Sequence, residues 1–175
     1  YPSRFQLVAA MNPCKCGYYG HPTRPCTCSL HAVRQYRSRI SGPLLDRIDL
    51  CVEMDPISFN ELHGVGQSET SAQLRQQVLA ARAVQTRRFA QHGYEGIHCN
   101  AQLTAGQVRQ VCRLTPGAQQ VLRAAYDRLG LSARSHDRLL RVARTIADLA
   151  GSALIAEDAL LEALHYRMQD KLEVR

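Results

Sequence analysis

Met11 to Cys28 reads MNPCKCGYYGHPTRPCTC, and it holds four of the chain's seven cysteines. Cys14, Cys16, Cys26 and Cys28 follow a C-x-C-x9-C-x-C spacing. Two thiolates one residue apart reach one ion if the backbone between them is extended or tightly turned. Gly17, Gly20, Pro22 and Pro25 let the intervening loop double back. Four thiolates complete the tetrahedral sphere that zinc prefers, with Zn–S bonds of about 2.3 Å. Such a site leaves no open position for substrate, so the expectation is a structural Zn2+. C-x-C is rarer than C-x-x-C, and His21 or His31 could replace one ligand. Two disulfides or four free thiols are the other readings; nothing at the start of the chain reads as a secretory signal, which disfavours disulfides. Cys51, Cys99 and Cys112 sit among apolar neighbours and are expected in the core.

The chain has 175 residues, enough for one medium domain or two small ones. No apolar run approaches the roughly eighteen residues of a membrane span, and a cytoplasmic location is expected. The net charge is +7, carried by twenty Arg and two Lys. Arginine's planar fork suits phosphate or carboxylate, so nucleic acid or nucleotide is a plausible partner. The bland alternative is a solvated arginine-rich surface.

The elements that must position these groups read in chain order. Residues 5–11, FQLVAAM, fit a short buried strand closed by Asn12-Pro13. The cysteine segment is a loop. Residues 29–39 predict a short helix capped by Ser29, and Ser41-Gly42-Pro43 a helical turn. Ile48 to Met54 alternates as a second strand would, with Ile48, Leu50, Val52 and Met54 on one face. Residues 58–71 are polar and glycine-containing, a linker. A long helix is expected from Ser71 to about Gln91, with Leu74, Val78, Ala81 and Phe89 near one stripe. Thr104 caps a short helix. Thr115-Pro116 opens one that stops at Gly130. Ser132 or Ser135 opens the next, ending at Gly151, with Leu139, Val142, Ala143, Ile146 and Ala150 inward. The last runs from about Ala156 to Gln169, with Leu160, Ala163 and Leu164 inward. The C-terminal two-thirds therefore reads as a helical bundle.

Four stretches carry a resemblance: AAMNPCKCG (9–17), CTC (26–28), YRSRISGPLLDRIDL (36–50) and SARSHDRLLRVARTIADLAGS (132–152). Together they make the sequence resemble the C-terminal part of the Mg-chelatase-like AAA+ ATPases of the YifB/ComM type. Lys15, where proline is expected, and Cys51, where histidine is expected, depart from that pattern. The resemblance implies a mainly α fold, in which a helical AAA+ lid follows a partial α/β AAA+ core bearing a cysteine-rich insertion. Residues 1–58 would be the core piece with its insertion at 14–28, residues 59–70 the linker and residues 71–175 the lid. It also implies roles. Asn12 would be the sensor-1 residue that positions the attacking water. Arg47 would be the arginine finger reaching a neighbour's nucleotide, and Arg134 the sensor-2 residue of the lid. Read without the resemblance, Asn12 is a plain turn residue and Arg47 a surface partner of Asp46 or Asp49. Arg134, Arg138 and Arg141 share one helix face, and Arg138, Arg141 and Arg144 read as a solvated basic stripe.

No G-x-x-x-x-G-K-[ST] phosphate loop occurs in these residues. On the resemblance, ATP and Mg2+ would be held by residues upstream, and this piece alone would not hydrolyse ATP. The implied assembly is a homo-hexameric ring that moves branched or single-stranded DNA, as in natural transformation and recombination. An ATPase for metal insertion into a porphyrin, or a standalone zinc-stabilised module binding DNA or protein, are the alternatives.

Overall fold

The computed structural model describes residues 5–57, 59 and 69–168. It is mainly helical, and two compact units part between Arg47 and Ile48.

Among its described residues the first unit carries two helices. Helix α1 (Leu30–Arg37) starts at Ser29, whose side chain accepts the Ala32 N–H, satisfying one amide orphaned at the helix start. Helix α2 (Gly42–Leu45) is a single turn with Pro43 near its start. Residues 5–11 have no regular secondary structure and do not form the expected strand. Val8 is 85 % exposed, and a strand exists only through hydrogen bonds to a neighbour, which no described residue offers.

The expected second strand fails for the same reason: residues 48–54 are irregular and unladdered, with a bend at Asp49, and Met54 is 82 % exposed. They begin the second unit. A backbone bond from Cys51 N–H to the Tyr166 carbonyl at 3.0 Å and an ion pair between Asp49 and Arg138 at 3.7 Å tie them to it. Most of the expected linker, residues 59–70, lies outside the described residues, as does the expected last residue of the final helix, Gln169.

Among the described residues from Thr70 on, five α-helices and a 3-10 turn build this unit. Helix α3 (Ser71–Gln91) opens with a reciprocal capping box between Thr70 and Gln73. A 3-10 turn (Asn100–Gln102) leads to α4 (Ala105–Val111), capped in the same way by Thr104 and Gln107. Helix α5 (Pro116–Leu129) has Thr115 as its N-cap and ends at Gly130 with φ 58°, a left-handed conformation that glycine adopts without strain. Helix α6 (Ala133–Leu149) is capped by Ser132 and α7 (Glu157–Met168) follows. A parallel bridge, with Thr115 N–H bonded to the Ile155 carbonyl at 2.9 Å, pins the start of α5 beside the start of α7.

Helix α6 is the hub. Leu139, Leu140, Ala143 and Ala147 are buried against Leu160, Ala163 and Leu164 of α7, Val108 and Val111 of α4 and Phe89 of α3. The inward reading of α6 and α7 holds except at Ala150, which is exposed. On α3 only the second half of the expected stripe is covered: Ala81 and Phe89 are buried, Leu74 and Val78 are not. Cys112 is buried in the core, and desolvation pushes its thiol up to about 12. Cys51 and Cys99 are only half-buried.

The basic stripe expected on α6 is overturned at Arg144, which is fully buried. Its Nε donates to Asp148 at 3.1 Å, and its two terminal nitrogens cap the carbonyls of Ser152 and Ala153. Asp148 also accepts both terminal nitrogens of Arg88 and, at 2.9 Å, the amide of Asn100. One buried carboxylate thus ties α3, the 3-10 turn and α6 together. Asp148→Ala should destabilise the protein by about 3–5 kcal/mol, because it strands a buried guanidinium. Chemical denaturation of the two forms measures that difference. Replacing Asp148 and Arg144 together by leucine should cost less.

Candidate metal centre

The first unit brings Cys14, Cys16, Cys26 and Cys28 together. Their sulfurs all lie within 4.8 Å of one another. Cys14 Sγ is 3.3 Å from Cys16 Sγ and 3.6 Å from Cys26 Sγ, and the Cys16 and Cys26 sulfurs are 3.5 Å apart. A tetrahedral ion with bonds of about 2.3 Å sets its sulfurs about 3.8 Å apart. The four side chains therefore fit around one ion, and the separations far exceed a covalent S–S bond of about 2.05 Å.

Local backbone geometry makes this possible. Gly17, at φ 84°, lets its N–H turn back to the Cys14 carbonyl at 3.1 Å, so Cys14 and Cys16 face one point. A second glycine with positive φ, Gly20, sits in the returning arm. The Cys28 N–H donates to the Cys26 sulfur at 3.4 Å. The N–H groups of Tyr18 and Thr27 point at the Cys16 sulfur and, with the Cys14 sulfur, bring its pKa down to about 5. For Cys26 the Cys28 N–H acts in the lowering direction, but desolvation and the two neighbouring sulfurs push it up to about 12. One thiol favours its anion and a neighbour resists a second charge, the electrostatic situation that a cation among them relieves.

Helix α1 backs the cluster. Val33 is fully buried against Cys14, with Tyr19 and the other three cysteines around them. Arg37 lies over the Tyr19 ring, 5.2 Å from its centroid, and its Nε donates to the Pro13 carbonyl at 3.2 Å. His21 is not in the sulfur group. Its Nδ1 accepts the Arg24 N–H at 3.1 Å and the Thr23 N–H at 3.2 Å, closing the tip of the loop. His31, the other alternative ligand, is exposed and outside the group as well.

Asn12 precedes the cluster by two residues and is exposed. Arg47 is also exposed, with Nη1 donating to the Pro43 carbonyl of α2. Arg134 is exposed in the first turn of α6, next to the Ser132 cap. Asn12 and Arg47 belong to the first unit and Arg134 to the second. Of the other α6 arginines, Arg138 pairs with Asp49 at 3.7 Å. Arg141 is half-buried, and its Nε has no hydrogen-bond partner among the described residues. The sequence reading missed the roles of Arg88, Asn100 and Asp148. A lone Asp four residues after an Arg on a helix was the available signal, and it is a common surface pattern.

Comparisons with known proteins agree on the class. A family model described as magnesium chelatase, subunit ChlI C-terminal, matches residues 68–167, and one described as magnesium chelatase, subunit ChlI, matches residues 1–62. The chain belongs to the magnesium-chelatase-like family of AAA+ proteins. Competence protein ComM of Haemophilus influenzae is 40 % identical to it over 174 residues, 98 % of this chain and 32 % of that protein. The uncharacterized protein YifB of Escherichia coli K12 is 41 % identical over 174 residues, with the same coverage. An uncharacterized Mycobacterium bovis protein, Mb2921c, is 40 % identical over 169 residues. The chain thus spans about a third of the length of these relatives.

The sulfur cluster makes a direct expectation. The purified chain should hold one equivalent of thiophilic metal, read by elemental analysis, and Cys14→Ser should lower that content by about tenfold or more. Acidification should release the ion, since protons compete for the thiolates.

Proposed function

We propose that the chain is the C-terminal part of a ring-forming AAA+ ATPase acting on DNA. It would supply sensor and trans-acting groups to ATP and Mg2+ held by other residues of the full-length protein. The observation that carries this reading is the pair of family matches, which together run over nearly all of the chain. No phosphate-cradling loop occurs in the 175 residues, consistent with a nucleotide held elsewhere.

In this reading Arg47 is the arginine finger. A guanidinium brought to a neighbouring subunit's nucleotide stabilises the charge that develops on the transferred phosphoryl group. Arg47 is exposed, and among the described residues its bond is to the Pro43 backbone carbonyl, which it can exchange at modest cost. Asn12 orients the attacking water as sensor 1. Arg134 touches the phosphates from the first turn of the lid helix, and the cap at Ser132 fixes where that helix begins. A finger acting in trans requires at least two subunits per site, and a homo-hexameric ring meets that requirement. Zn2+ in the cysteine cluster is structural, since four thiolates fill its coordination sphere.

DNA as the client is supported by the net charge of +7 and the preponderance of arginine. One relative is named a competence protein. Among the described residues no helix is long and apolar enough to cross a membrane.

In the full-length protein, Arg47→Ala should cut ATP turnover by about 10³-fold or more while ATP binding stays within severalfold of the parent. Equilibrium nucleotide binding and steady-state hydrolysis, measured side by side, check this; loss of binding with normal turnover per bound ATP would refute the finger. DNA affinity should fall steeply with salt, at a log–log slope of about −0.9 per neutralised phosphate on duplex DNA. A salt-independent affinity would remove DNA as the client.

A further inference from the structure

Helix α3 leaves its first half bare. Along its exposed side Leu74, Arg75, Val78, Leu79 and Arg82 follow one another at i, i+1, i+4, i+5 and i+8, an arc of about 140° at 100° per residue. Val78 is 51 % exposed, and every residue from Ser71 to Ala80 is exposed. This face continues the stripe that Ala81, Gln85 and Phe89 bury against the bundle. It therefore runs past the end of its own core. The helix carries Arg75, Arg82, Arg87 and Arg88 and no acidic residue; Arg88 is paired with Asp148 and Arg82 donates to the His98 carbonyl at 2.7 Å while its residue stays exposed. Glu69, just ahead of it, is engaged by Gln77.

Helix α7 presents the opposite chemistry at the same spacing. Glu157, Asp158, Leu161, Glu162 and His165 occupy i, i+1, i+4, i+5 and i+8, and all are exposed. Leu161 is 54 % exposed, in an acidic surround. The two faces match in length as well as in sign. Ser71 to Arg82 and the twelve residues of α7 each span about 18 Å of helix.

We propose that the bare face of α3 in one copy of this chain docks on the acidic face of α7 in a second copy. Leu74, Val78 and Leu79 would cover Leu161, while Arg75 and Arg82 would meet Asp158 and Glu162. The two patches are different surfaces of one chain, so the contact is head-to-tail, the kind that closes into rings. It rests on the self-assembly in the proposed function and names the surfaces that would perform it. One helix pair buries less than a standard interface of about 800 Å² per partner. The association is therefore concentration-dependent and weakened by salt.

Sedimentation velocity of the 175-residue chain across a concentration series tests this, with three preparations. The parent should self-associate. Arg75→Glu with Arg82→Glu, and separately Asp158→Lys with Glu162→Lys, should each weaken association by about tenfold or more through like-charge contact. Mixing the two variants should restore association, because each then meets an opposite charge on both patches. Circular dichroism confirms that each variant keeps its helices. If the variants associate like the parent, or the mixture fails to recover, the docking is overturned. Loss of DNA binding in the basic-face variant with association unchanged would assign α3 to nucleic acid instead. A parent that stays monomeric throughout overturns the docking, while nucleotide-dependent assembly of the full-length protein judges the ring itself.

Discussion

Four sulfur atoms are the centre of the first unit. Among its described residues only Cys14 and Val33 are buried apolar side chains, against sixteen in the core of the second unit. A segment this poor in apolar contacts cannot offset the entropy of ordering its chain by burial alone. A metal ion bonded to the four thiolates would supply what the side chains do not, by roughly 10–16 kcal/mol apparent in small zinc peptides. The rest of the unit is arranged around that point. Gly17 turns the first pair of cysteines inward, Val33 closes the back, and Arg37 ties α1 to the chain leading in at Pro13. Asn12 lies two residues ahead of Cys14, the first cysteine of the cluster.

The second unit solves its problem differently. It has an ordinary apolar core, and into that core it places a carboxylate and a guanidinium. Asp148 and Arg144 are both fully buried as side chains. Such a pair adds little net stability over well-packed leucines, yet it punishes any arrangement that separates its members. Asn100 and Arg88 complete the carboxylate's partners, while Arg144 caps two carbonyls after the end of α6. The effect is to fix how the C-terminal end of α6 lies on α3, while the Ser132 cap sets where its first turn begins. Arg134 sits exposed on that turn, at the opposite end of the helix from the buried network.

What could be read from the residues divides along physical lines. Helix starts were legible because caps are local chemistry: Ser29, Thr115-Pro116 and Ser132 each place a side-chain oxygen at amides a few residues on. The sulfur cluster was legible because pairs separated by one residue, with glycine and proline between them, leave the thiols few other arrangements. The strands at 5–11 and 48–54 were not, since alternation specifies a face but not a partner to pair with. Leu74 and Val78 were misplaced for a related reason. Periodicity shows which side of a helix is apolar, not how far the neighbouring helices extend along it. Arg144 defeated the sequence because nothing in its type or spacing distinguishes it from Arg138 or Arg141; only the fold decides which arginine is enclosed.

X-ray absorption at the zinc edge on the purified chain tests the central claim most directly. A closed four-thiolate centre predicts a first shell of sulfur alone, at about 2.3 Å. A shell containing nitrogen or oxygen, or metal-free protein whose residues 14–28 keep the same ordered amide spectrum, would contradict it.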